Sequence, residues 1–137
     1  MDSDKTIVLR AFNKQFFDFI DDLLLVYPTN PEILTARSTF ETFKSFNPTS
    51  IIKVWYANVA VPYKAQIDAG DISFFAQKDY SVDLDAKKVA NMSKVLDMID
   101  NVRQPIENMN TTNKAHSAKH IKNLSRLSEA YSILNSE

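Results

Sequence analysis

A single glycine in 137 residues, Gly70, narrows the folds open to this chain more than any other feature. Hairpins, bulges and phosphate-cradling loops rely on glycine for backbone conformations that other residues avoid. A chain this poor in it is not expected to form a β-rich barrel, a dinucleotide-binding fold or a P-loop. Helices joined by short loops tolerate the shortage. Cysteine is absent, which removes disulfides and thiol chemistry from the sequence. The length suits one domain able to bury about two-thirds of its unfolded surface.

The stretch from Leu9 to Tyr27 organises the rest. Leu9, Phe12, Phe16, Phe19, Ile20, Leu23 and Tyr27 recur at helical spacing, with Arg10, Asn13, Lys14, Asp18, Asp21 and Asp22 on the other side. That pattern predicts a helix over residues 6–27, capped by Ser3 or Asp4, with a wide apolar stripe. Its carboxylates interrupt the apolar run, so neither a signal peptide nor a membrane span is expected.

Asn30-Pro31-Glu32 reads as cap, first position and first turn of a second helix, whose inward stripe is Ile33, Ala36, Phe40 and Phe43. Asn47-Pro48 repeats the signature and predicts a third helix carrying Ile51, Ile52, Trp55, Tyr56, Val59 and Ala60. Residues 55–61 also admit a strand, but glycine poverty and the asparagine-proline start favour the helix. Pro62 removes a backbone donor and predicts a kink before the helix resumes toward Gly70. Gly70 is expected in the left-handed position that ends it, with Asp71 capping a short helix over 72–78.

Residues 79–84 lack a period and read as a linker. Beyond them Val89, Met92, Leu96, Ile99 and Val102 form a stripe, with Pro105 as a kink or a break. Residues 110–113 read as a polar turn. A final helix then carries Ala118, Ile121, Leu124, Leu127 and Leu134, with Tyr131 flanking the line. Two long helices around a polar turn predict an antiparallel hairpin. The expected fold is all-α: one domain over 1–137, a compact bundle of about five to six helices. Residues 1–78 form an aromatic-rich half and 85–137 the hairpin half.

Charge is unevenly placed. Residues 1–85 carry eight basic and twelve acidic groups, and residues 86–137 eight and five. Lys114, His116, Lys119, His120, Lys122 and Arg126 lie in a stretch without acids, giving a face able to meet phosphates or an acidic partner. No helix-turn-helix glycine, zinc frame or aromatic-glycine strand motif accompanies it. His116 and His120, four apart, read as solvent-facing, since two histidines make no complete metal site. Asp18, Asp21 and Asp22 read as a charged outer face. No nucleophile motif stands out, and neither a metal nor another cofactor is expected. Of the large rings, Phe74, Phe75 and Tyr80 are the ones whose exposure would mark a protein interface.

In texture the chain resembles small uncharacterised helical proteins of large double-stranded DNA viruses that infect protists or algae. The resemblance runs from Phe16-Phe17-Asp18-Phe19 to Asp22-Leu23, and through Asn47-Pro48 to Trp55. It continues from Tyr63 by Asp68-Ala69-Gly70-Asp71-Ile72 to Phe74-Phe75, and closes on Asn123-Leu124-Ser125-Arg126-Leu127. These segments carry no chemical motif. What the resemblance implies is a viral setting: a virion component, or a factor acting in the infected cell. The function expected is a non-enzymatic protein–protein interaction or assembly component, self-association included, without a membrane role. The alternative is a nucleic-acid-associated regulator using Lys114, Lys119, Lys122 and Arg126.

Overall fold

Capping chemistry sets the helix starts. Ser3 Oγ accepts the Thr6 amide at 3.2 Å and begins α1, Asp4–Val26. The Asn30 side chain accepts the amides of Glu32 and Ile33 at 2.9 and 3.1 Å, with Pro31 first in α2, Pro31–Phe46. Replacing Asn30 by Ala orphans both donors and should cost about 1 kcal/mol in a urea melt. A loss under about 0.3 kcal/mol would show the cap to be dispensable. The computed structural model describes residues 3–77 and 90–136. Among them the chain is an all-α, compact bundle of seven α-helices and one π-helical turn. None of these helices is long and apolar enough to cross a membrane.

The second asparagine-proline pair behaves differently. The Asn47 amide closes α2 on Phe43 O at 2.8 Å, and α3, Ser50–Trp55, starts three residues later. Thr49, just before it, has helical backbone and no side-chain cap bond. A cap residue must be extended to aim its oxygen at the first turn. A chain leaving one helix and re-entering another within a single turn has no room for that.

After α3 the backbone widens into a π turn, Tyr56–Ala60, closed by the Val61 amide on Tyr56 O at 3.0 Å. Pro62 follows directly. A proline ring crowds the carbonyl four residues back, and a wider turn relieves that crowding. The helix is interrupted at residues 61–63, around Pro62, and the interruption is preceded by a π turn that the sequence did not announce. The helix resumes as α4, Lys64–Asp68. Gly70, at φ 77°, ends it with its own amide on Ile67 O and that of Asp71 on Gln66 O, the paired closure that needs a left-handed residue. Asp71 Oδ1 then accepts the Ser73 hydroxyl at 2.7 Å and its amide at 3.0 Å, and α5 runs Ser73–Gln77. Both donors favour the ionised form and hold the Asp71 carboxyl below the usual carboxylate range.

α6, Ala90–Glu107, passes through Pro105 without a break. Pro105 stands in the last turn of α6, so little helix remains beyond the ladder bond it removes. Of the stripe expected here, Leu96, Ile99 and Val102 are buried, together with Val95, Met98 and Ile106. Val89 and the Met92 side chain lie outside the described residues. Asn110 accepts the Asn113 amide at 2.8 Å, so α7, Thr111–Asn135, starts inside the segment expected as a polar turn. On α7 the buried line is Ser117, Ile121, Leu124, Ser125, Ser128 and Tyr131. Tyr131 belongs to the line it was expected to flank, and Ala118, Leu127 and Leu134 are only half-buried.

The packing pairs distant segments. α7 lies along α1, and α6 packs on α2 and α5. The principal neighbours of α6 and α7 are thus other helices rather than each other. At the centre Phe16 stacks on Phe40 at 5.3 Å and takes the edge of Trp55 at 5.8 Å. The Trp55 ring also meets Phe12 and Phe75, and its Nε1 donates to Ser125 Oγ at 3.0 Å, joining α3 to α7. At the edge of the bundle Lys64 bonds Glu129 at 3.3 Å. That bond and the Glu129 charge, with Asp68 behind, hold the Lys64 ammonium above its ordinary range.

Candidate functional site

The three aspartates of α1 do not form one acidic face. Asp18 pairs with Lys14 at 3.1 Å, Asp21 with Arg37 at 3.3 Å, and Asp22 with His120. Arg37 also bonds Glu41 and sits 4.6 Å over the Phe17 ring, so one guanidinium serves two helices. Each carboxylate of the cluster has an internal partner.

His120 is held rather than solvent-facing. Its ring stacks on Phe19 at 5.4 Å, Nδ1 meets Gln15 Nε2 at 2.6 Å, and Nε2 meets Asp22. With the Gln15 amide donating to Nδ1, the ring proton sits on Nε2 and is donated to the carboxylate. Both nitrogens are occupied, so the ring offers no lone pair to a metal. His116 remains exposed. Among the described residues no group of three His, Cys, Asp or Glu is arranged to hold a metal ion. Residues 15, 19 and 22 lie about a hundred positions from His120, and local pattern carries no signal of that meeting.

The cations of α7 divide. At about 100° per residue, Lys119 and Arg126 fall within about 20° of one another, with Lys122 about 40–60° aside and Lys114 at least about 80° away. Lys114 instead shares a hollow with Asp71 and Glu107. Lys119 and Arg126 are exposed and Lys122 half-buried, and among the described residues none of the three has a carboxylate partner. Ile133, seven residues beyond Arg126 on the same side, is 63% exposed.

The chain matches no known protein family, no curated protein and no solved structure. The geometry therefore stands alone.

The aromatic patch expected at Phe74, Phe75 and Tyr80 is not assembled by the described residues. Phe75 is fully buried beside Trp55, Phe74 is half-buried and stacked on Tyr63 at 4.4 Å, and Tyr80 lies outside the described residues. Phe75 is needed to close the core above Trp55, a demand that adjacency in sequence does not reveal.

A groove of about 490 Å³ runs between α1 and the end of α2. Leu9, Phe17 and Pro48 give it apolar walls, and Arg10, Lys14 and Lys44 line it with cationic side chains. Asn13, expected on the wet side of α1, lies in its floor and is only 6% exposed. Its Nδ2 donates to Pro48 O at 3.4 Å, and its Oδ1 has no donor.

Proposed function

We propose that this chain is a non-enzymatic interaction protein whose outer α7 face engages an acidic protein surface. The observation that carries the reading is an asymmetry of pairing. The carboxylates of the α1 cluster are matched internally, while Lys119, Lys122 and Arg126 have no carboxylate partner among the described residues and share their side of α7 with an exposed isoleucine. Exposed ion pairs contribute little singly, about 0–1 kcal/mol each. The cations then set encounter rate and register, and Ile133 supplies an apolar anchor. The viral setting implied by the resemblance extends the proposal to an assembly or structural component. Its test is whether the chain is retained in purified virions.

Neutralising the row as K119Q, K122Q and R126Q removes three charges without touching the buried line. Binding to poly-L-glutamate, followed by fluorescence anisotropy at moderate salt, should weaken about tenfold or more. Unchanged binding would remove the row from the interface. The same row could meet phosphates, so a short DNA duplex is the competing probe. Tighter binding to the duplex, with a salt slope falling by about one unit per neutralised cation, would favour the nucleic-acid reading instead.

A further inference from the structure

We propose that the groove between α1 and the end of α2 binds an amphipathic organic anion: an apolar chain or ring bearing one carboxylate. The site is separate from the α7 face. α7 covers the side of α1 that carries Gln15, Phe19 and Asp22, and the groove opens on the side of Leu9, Asn13 and Phe17.

Its size and lining suit a small molecule. A volume of about 490 Å³ is in the range of cavities that hold compact ligands, which are mostly apolar with a few placed polar groups. Leu9 and Phe17 are partly buried side chains packed on the core, so the walls are held in place from behind. Charge selects the sign of the occupant. Of the cations, Lys44 has no carboxylate partner among the described residues, and Lys14 shares its charge with the exposed Asp18. An apolar body in the groove places its head among these side chains, where a carboxylate is favoured and an ammonium opposed.

Asn13 is the second, independent indication. A polar side chain in the floor of an apolar groove, with a weak 3.4 Å bond on one side and a bare oxygen on the other, is costly to the fold. A ligand gives this amide a use: its nitrogen, held by one weak bond to Pro48 O, has a second hydrogen to donate to a carboxylate.

Isothermal titration with decanoate tests the inference on the full chain, with decylammonium as the probe of opposite charge. Decanoate should bind saturably at one site, at least about tenfold tighter than decylammonium. The surface variant Lys44→Gln, remote from the core, should weaken decanoate at least about threefold. Asn13→Ala, which removes the amide without adding volume, should weaken decanoate. Three results would each overturn the proposal: no saturable binding, equal binding of the two probes, or full affinity in Lys44→Gln. Capture of an acidic aromatic peptide without any binding of decanoate would overturn it in favour of a peptide groove. None of these outcomes depends on the α7 row, so this inference and the proposed function can fail separately.

Discussion

Replacing Trp55 by Ala should remove about 3–5 kcal/mol of stability. The ring is wholly buried, wedged between Phe12 and Phe16 of α1 and Phe75 of α5, and its Nε1 holds Ser125 of α7. One side chain thus joins α3 to three other helices. Truncation opens a cavity that rigid neighbouring rings cannot fill, and strands the Ser125 hydroxyl. For a domain of this size the melting temperature should fall by roughly 10–15 °C. The denaturant slope should hold while the midpoint moves. Trp55→Phe retains part of the ring contact and should lose less. A Trp55→Ala loss near 1 kcal/mol would mean that the ring cluster is not the centre of the core.

Ser128→Leu sets local and tertiary preference against each other. Leucine is the better helix former, so α7 alone would gain a few tenths of a kcal/mol. Ser128 is nevertheless fully buried, and its Oγ donates to Ser125 O of its own helix at 2.7 Å. Its smallness, with that of Ser117 and Ser125, lets α7 approach its neighbours closely. Leucine there should destabilise by about 1–3 kcal/mol or more through overpacking. Ser128→Ala keeps the volume small and loses only a bond within its own helix, so it should stay within about 1 kcal/mol of the parent. Thermal melts of the pair give the answer by sign: a stabilised Ser128→Leu would contradict close approach at that position.

Some of this was legible because the physics is local. The ring-rich stripe of α1 keeps helical spacing over five turns, and Phe12, Phe16, Phe19, Ile20 and Leu23 are all buried. Asn30 before Pro31 caps as its chemistry suggests, and Gly70 takes the left-handed conformation. The same reasoning misled at Asn47-Pro48. A cap depends on the backbone before it, and there the previous helix had not yet let go. Along α7 it held for Ile121 and Leu124, which are buried, and misled at Leu127 and Leu134, which are only half-buried while Ser117, Ser125 and Ser128 are buried. The close neighbour demanded serines.

The candidate sites were the least visible. Lys119, Lys122 and Arg126 could be seen as a basic run, but not which of the cations shared a side with Ile133, or that Lys114 faced Asp71 and Glu107. Asn13 looked like one more polar residue on a wet face. The turn at Pro48, from another part of the chain, meets its amide.

Glycine poverty, capping residues and apolar spacing decided that this chain is helical and where most of its helices lie, since each acts within a turn or two of backbone. Which helix lies against which, what happens to His120 and Asn13, and where a groove remains were decided by contacts between residues far apart in sequence. Those contacts depend on the fit of whole faces, a property that no single segment carries.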